Sequence, residues 1–167
     1  MDSAIQVTVK AETGVTSSPL SGFMRETTPG LFTLNASGSG QGVVLIAGSH
    51  EVAMPTTDEI PSRPARRGEI LSIYANGLGE VQEEVPVGSP APLDHLIRLK
   101  NLVRVFLGDI EVPPDFAGLA PAEIGLYQID VPVTAAVPSG PNVPLRVEVT
   151  RGDGSIVTSN EVTVAIE

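Results

Sequence analysis

The sequence predicts an all-β protein: an Ig-like β-sandwich with an additional N-terminal β-hairpin and long Pro-rich loops. Three observations carry that expectation. Of the 167 residues 17 are Gly and 15 Pro while only 4% are aromatic, so turn formers and small β-branched side chains dominate. Apolar residues recur at every other position in several short runs, the spacing that lines one face of a strand. No stretch keeps helical periodicity over three turns. The length suits one domain, or one domain plus a fragment of another, and is enough to bury a real core.

Taken in order, Ile5, Val7 and Val9 alternate with Gln6, Thr8 and Lys10, which predicts a half-buried strand. Thr13-Gly14 turns the chain, and a partner strand is expected from Val15 to Leu20. Pro29-Gly30 marks the next turn, residues 36–42 form a Gly/Ser-rich loop, and residues 43–47 an apolar strand. Pro55, Pro61 and Pro64 exclude regular structure from the segment that follows. A strand over residues 69–75 ends at Asn76-Gly77, a strong turn signal. Pro86, Pro90 and Pro92 mark a second irregular stretch, after which Asp94 is placed to cap a short helix through Leu99. A strand over residues 103–107 follows, and "IGLYQIDVPV" and "VPLRVEVTRGDGSIVTSNEVTVAIE" supply three more, the last two joined through Asp153-Gly154. The expected core is Val44, Ile46, Ile70, Ile73, Val105, Leu126, Ile129, Val147, Val149 and Val164. Both proline-rich segments are expected on the surface. The domain division is residues 1–28 as the hairpin and 29–167 as the sandwich.

A net charge of −10 opposes binding to a phosphate backbone, which attracts proteins through Lys and Arg. The absence of Cys removes disulfides, thiolate nucleophiles and thiolate metal sites together. No apolar run approaches the ~20 residues of a membrane-spanning helix, and Met1-Asp2-Ser3 lacks the basic and apolar regions of an export signal. An exported form of the protein is therefore expected to carry its signal upstream or to have lost it.

The two ends of the chain repeat each other. A shift of 145 − 5 = 140 positions places Ile5 on Leu145, Val7 on Val147, Val9 on Val149 and Gly14 on Gly154. One extra residue in the C-terminal turn then sets Val15 on Ile156 and Ser18 on Ser159. On this alignment the chain begins with the last hairpin of one repeat and continues into a complete one.

Four stretches, "TPGLFTLNASGSGQGVVL", "GEILSIYANGLGEV", "AGLAPAEIGLYQIDVPV" and "AVPSGPNVPLRVEV", occur in the order of the motifs of the uncharacterised Solibacter-type C-terminal domain, found at the ends of large secreted acidobacterial proteins. The chain resembles that family over nearly its whole length, and "GEILSIYANGLGEV" also resembles the early strand of TIG-type Ig domains. The segments "EIPSRPARRG" and "DHLIRLKN" depart from the pattern. The resemblance implies an exported Ig-like module and carries no catalytic residues with it.

Candidate chemistry is sparse. His50 and His95 are the two imidazoles, in different irregular segments, and no serine stands in the G-x-S-x-G frame. Asp58, Glu59, Glu83, Glu84, Asp94 and Asp115 are carboxylates of the type that glycoside hydrolysis needs in facing pairs, but all fall in loops. The same loops offer oxygen ligands of the kind that bind calcium, a hard cation, although no segment has the spacing of a dedicated calcium loop. Gly38, Gly40 and Gly42 lack the dinucleotide spacing and a following helix. Arg151-Gly152-Asp153 spells an adhesion tripeptide, which a tight turn equally requires. Arg63, Arg66 and Arg67 form a basic knot suited to an acidic neighbour or to solvent.

No enzyme, cofactor, nucleic acid or membrane insertion is expected. The hairpin is the informative element, since two strands alone are marginal in water and need a surface to dock on. Ile5, Val7, Val9, Val15 and Leu20 are the expected subunit interface. Two functions fit. One is an extracellular or cell-surface structural protein that self-associates by β-strand addition, other copies of itself being the partner and a filament the product. The alternative is a C-terminal spacer, surface-attachment or glycan-contacting module of a larger secreted protein.

Overall fold

The computed structural model describes residues 3–167, so Met1 and Asp2, read above for an export signal, lie outside it. The strands in chain order are β1 (Ser3–Val7), β2 (Leu20–Met24), β3 (Gly30–Leu31), β4 (Val44–Ile46), β5 (Val52–Ala53), β6 (Ser62–Arg63), β7 (Ile70–Asn76), β8 (Leu102–Leu107), β9 (Ile110–Val112), β10 (Phe116–Leu119), β11 (Tyr127–Pro132), β12 (Gly140–Thr150), β13 (Ile156–Thr158) and β14 (Val162–Ile166). No helix occurs among the described residues, and the fold is an all-β, Ig-like sandwich with a separate hairpin.

One sheet of the sandwich runs β10-β11-β7-β4-β5-β6, with β3 also on β7; the other runs β13-β12-β8-β9, with β14 also on β12. In the second sheet β13 and β14 lie one after the other along the same strand, against Glu148–Thr150 and Gly140–Leu145 of β12 respectively. β1 and β2 form a two-stranded sheet of their own.

The core sits between the two large sheets. Leu71 and Ile73 of β7, Ile129 and Val131 of β11, and Val44 and Ile46 of β4 meet Val103, Val105 and Leu107 of β8, Val143, Leu145, Val147 and Val149 of β12 and Val162, Val164 and Ile166 of β14 in one apolar cluster. Alternation in β12 is complete: Val143, Leu145, Val147 and Val149 are buried, with Pro144, Arg146 and Glu148 between them more exposed. Phe106 lies on the outer face of β8, stacked under the guanidinium groups of Arg104 and Arg146 at 5.0 and 4.2 Å from its centroid.

Eight of the ten expected core residues are buried, and two are not. Ile70 is exposed, because β7 buries Leu71 and Ile73, and a residue at odd spacing from these points to the other face. Leu126 precedes β11 and is only half-buried. The helix expected from Asp94 to Leu99 does not form. Asp94 binds its neighbour His95 instead of capping a helix. Ile97 to Leu99 lie along β10, with Leu99 N–H donating to Ala117 O at 3.0 Å and Leu119 N–H to Ile97 O at 3.0 Å. Gly118 permits that approach, since a Cβ there would collide with the carbonyl oxygen of Ile97. The segment thereby closes the outer edge of the first sheet.

The proline-rich stretches do lie mostly at the surface, yet the first is not wholly irregular, since β6 pairs with β5 in parallel. β2 also starts at Leu20, where the sequence placed the end of the partner strand. The edge of β14 is closed as well: Gly42 N–H donates to Thr163 O at 3.0 Å, Thr163 N–H to Gly40 O at 2.7 Å, and Ala65 N–H to Ala165 O at 2.9 Å.

Candidate docking surface

The N-terminal hairpin is built like the closing hairpin of the sandwich. Its turn runs from Ala11 to Val15: Ala11 N–H donates to Val15 O at 2.9 Å, and Gly14 N–H returns to Ala11 O at 2.9 Å. The C-terminal turn has the same two bonds, Arg151 N–H to Ser155 O at 2.8 Å and Gly154 N–H to Arg151 O at 2.9 Å. Gly14 and Gly154 share a left-handed backbone, φ +85° and +83°, which only glycine adopts without strain.

A serine then interrupts each second strand in the same way. Ser17 N–H donates to Val9 O at 2.9 Å, Val9 N–H donates to Ser17 Oγ at 3.0 Å, and the Ser17 hydroxyl donates to Ser18 O at 3.1 Å. Ser159 N–H donates to Val147 O at 2.8 Å, Val147 N–H to Ser159 Oγ at 3.0 Å, and the Ser159 hydroxyl to Asn160 O at 2.7 Å.

These bonds correct the register of the repeat. The turns match at a shift of 140 (154 − 14), but the C-terminal hairpin has two more paired rows between turn and serine, Val149↔Val157 and Glu148↔Thr158. Beyond the serine the first strands therefore match at 138 (143 − 5) and the second strands at 142 (162 − 20). Val9 corresponds to Val147, Val7 to Leu145, Ile5 to Val143, and Ser17 rather than Ser18 to Ser159. The error is two residues in the first strand, which leaves the facing of its side chains unchanged, and one residue in the second, which reverses it.

Direct pairing of Ile5 with Gly22 and Val7 with Leu20 puts Ile5, Val7, Val9, Leu20 and Met24 on one face. That face is largely bare: Val7 is 49% exposed, Val9 67%, Leu20 74% and Met24 60%. The corresponding Leu145, Val147 and Val162 are at most 1% exposed. Four of the five expected interface residues are thus brought together. Val15 is not, because it lies in the turn. Met24 was missed, although its two-residue spacing from Leu20 through Gly22 was a legible signal.

The hairpin joins the sandwich through a hydrogen-bonded base. Thr27 is buried, and Arg151 donates to it twice, from Nε to Oγ1 at 3.1 Å and from Nη2 to the carbonyl oxygen at 2.9 Å. Gly152 N–H donates to the Glu26 carboxylate at 3.1 Å, and Thr28 N–H to Gly77 O at 2.8 Å. Arg151 is therefore turned into its own chain. Asp153 is occupied too, accepting from Ser155 N–H at 2.8 Å and from the Ser155 hydroxyl at 2.6 Å. The tripeptide Arg151-Gly152-Asp153 serves the turn and the base of the hairpin.

The remaining candidate residues either pair locally or lie on separate exposed loops. His95 is held between Asp94 at Nδ1, 2.8 Å, and Glu83 at Nε2, 3.0 Å. Hydrogen bonding to Asp94 and then Glu83 raises its pKa, and hydrogen bonding to His95 lowers that of Asp94. Both ring nitrogens face carboxylates, whereas a serine-activating histidine needs one nitrogen for the nucleophile. His50 lies apart, on the exposed turn after β4. Asp58 and Glu59 lie on the exposed loop after β5, and Glu84 on the stretch after β7. Asp115 N–H donates to Asp130 O at 2.8 Å at the start of β10. Among the described residues no group of three or more His, Asp or Glu is placed to hold a metal.

The basic knot pairs within the chain. Arg63 binds Glu51 at 2.8 Å and Glu69 at 2.8 Å, Arg66 binds Glu167 at 2.7 Å, and Arg67 donates to Thr134 O at 2.7 Å. Glu69 is held at a pKa of about 2, first by its hydrogen bond from Arg63 and then by the Arg66 backbone N–H. The hairpin face is thus an exposed apolar surface built of neighbouring side chains. No protein-family model, curated protein or solved structure matches this sequence.

Proposed function

We propose that the chain is a non-enzymatic structural module of an exported protein, a β-sandwich that spaces and joins other β-sandwiches through its N-terminal hairpin. The observation that carries this reading is the apolar face of Ile5, Val7, Val9, Leu20 and Met24, presented on a hairpin whose base is tied into the sandwich by Arg151, Gly152 and Gly77. Covering each of these large side chains contributes about 1.5 to 3 kcal/mol, enough to drive docking of an element already paired. The ordered motif resemblance to the Solibacter-type C-terminal domain supports the extracellular setting. The scarcity of convergent polar groups supports a structural role over catalysis.

The spacer reading is preferred to a homopolymer built by strand donation for two reasons. β1 is already paired along its length by β2, so the chain offers a hairpin, not a lone strand. Residues 40–42 and 65 close the edge of β14, and residues 97–99 close that of β10. Sedimentation velocity with electron microscopy tests the choice. The full chain is expected to sediment as a monomer at micromolar concentration. Fibres, or a ladder of oligomers that Val7→Asp abolishes, would replace the spacer reading with self-association.

A further inference from the structure

We infer that the N-terminal hairpin is the closing hairpin of a second β-sandwich, and that its occupant is an open Ig-like sandwich, the preceding repeat, which lacks its own counterparts of β12, β13 and β14. This deepens the spacer reading and rests on it. The argument begins with the bond-for-bond correspondence of the two hairpins: the same turn pair, the same left-handed glycine and the same serine that bonds the opposite strand through both its N–H and its hydroxyl. A free hairpin needs no such interruption. In the C-terminal hairpin it marks the point where β13 gives way to β14, which lies on the core.

The side chains follow the same plan. Val143, Leu145, Val147, Val162 and Ile166 are buried in the cluster that includes Leu71, Ile73, Ile129 and Val131 of the opposite sheet. Ile5, Val7, Val9, Leu20 and Met24 occupy the corresponding places with nothing over most of them. The reverse face carries Ala4, Gln6, Ser21 and Phe23, and the Gln6–Ser21 row is as polar as Pro144–Thr163 on the outside of the sandwich. The Ala4–Phe23 row is apolar, with Phe23 70% exposed, so the reverse face is mixed and the continuous apolar stripe lies on the other face, the one that takes a cover.

That cover is an apolar sheet face of the kind made by β4, β7 and β11. A second copy of the chain does not offer one, since its own β12 and β14 already lie there with Leu145, Val147 and Val164 at 0% exposure. The acceptor is therefore a sandwich open at this position. One difference defines it further: Gly22 stands where β14 has Val164, and the space beside its Cα is empty to 4 Å. The acceptor fills that space with a side chain larger than the one facing Val164.

The test joins residues 25–138 of this chain directly to its full residues 1–167. Because first strands correspond at 138, the junction puts the hairpin in register to close the leading unit, with no residue inserted or lost. Limited proteolysis reads closure, since an open leading unit is digested to a product the size of the full chain. The tandem with the native hairpin, or with Gly22→Val to suit an acceptor shaped for valine, is expected to survive about tenfold longer than the same tandem carrying Val7→Asp. Val7→Leu should retain protection. The trailing sandwich, protected throughout, confirms that each variant folds. If neither the native nor the Gly22→Val tandem outlasts Val7→Asp, or if protection appears only in tandems that sediment as dimers, the inference is wrong. A full chain that remains monomeric would then leave the spacer reading standing, so the two failures are distinguishable.

Discussion

The two hairpins at the ends of the chain have the same turn, the same serine interruption and the same alternation, yet one has its apolar face buried in the core and the other leaves that face largely exposed. Val7 and Leu145 are equivalent by register, at 49% and 0% exposure. The difference teaches that hairpin geometry is a local property, set by a glycine and a few side-chain-to-backbone bonds, whereas stability comes from what covers the face. On the proposed reading, the bare hairpin face is where a neighbouring sandwich would lie.

The largest effect that would break the comparison is a paired truncation. Leu145→Ala is expected to cost about 3 kcal/mol, the transfer term plus a cavity, and Val7→Ala less than about 0.5 kcal/mol in the isolated chain. Urea unfolding followed by circular dichroism measures both, and equal costs would mean that the N-terminal face is covered within its own chain.

Next in size is the joint between the two regions. Arg151→Ala removes both donors to Thr27 and leaves a buried carbonyl oxygen and hydroxyl short of a partner, at a cost of about 1 to 2 kcal/mol. Trypsin cleavage after Arg25 should accelerate as the base loosens. Arg151→Lys should not restore protection, since an ammonium does not present the planar fork that reaches both atoms. Unchanged cleavage would show that Glu26 and Thr28 hold the base without it.

Acid sharpens the comparison by a smaller amount, because it weakens the sandwich at a place remote from the hairpin. Glu69 has a folded pKa of about 2 against an ordinary 4.5, so its carboxylate stabilises the folded state. That contribution is fully present above pH 4.5 and is lost as the pH falls towards about 2, since the unfolded chain takes up the proton first. With solvent screening of this partly exposed pair it amounts to about 1 kcal/mol. Thermal unfolding across this range should show the loss, and Glu69→Gln should flatten the dependence. An unaltered slope in Glu69→Gln would assign the acid sensitivity elsewhere.

Much of the fold was legible because it is local. Thr13-Gly14 and Asp153-Gly154 turn the chain where Gly14 and Gly154 allow a left-handed backbone, and alternation in β12 assigned Val147 and Val149 to the core. The misreadings have a common cause in non-local pairing. Ile70 and Ile73 are three apart and cannot share a face, and only pairing with β4 and β11 selected the face of Leu71 and Ile73. Asp94 looked like a helix cap, but Ile97 and Leu99 alternate around Arg98 and are drawn onto β10, where Gly118 admits their backbone. Of the docking face, Ile5, Val7, Val9 and Leu20 were visible as an apolar stripe, while Val15 was misplaced and Met24 overlooked, since the start of β2 depends on where the serine interrupts the strand.

By itself the sequence determined the fold class, the two turns, the repeat and the facing of the hairpin's first strand, all of which follow from backbone preferences and two-residue alternation acting over a few positions. Only the tertiary structure decided the repeat register, the use of Arg151 as a clamp on Thr27, the closing of the β10 and β14 edges by distant loops, and which of two similar hairpins is covered. These depend on groups far apart in the chain meeting at hydrogen-bonding distance, and a backbone donor finds that partner through packing rather than through the residues beside it.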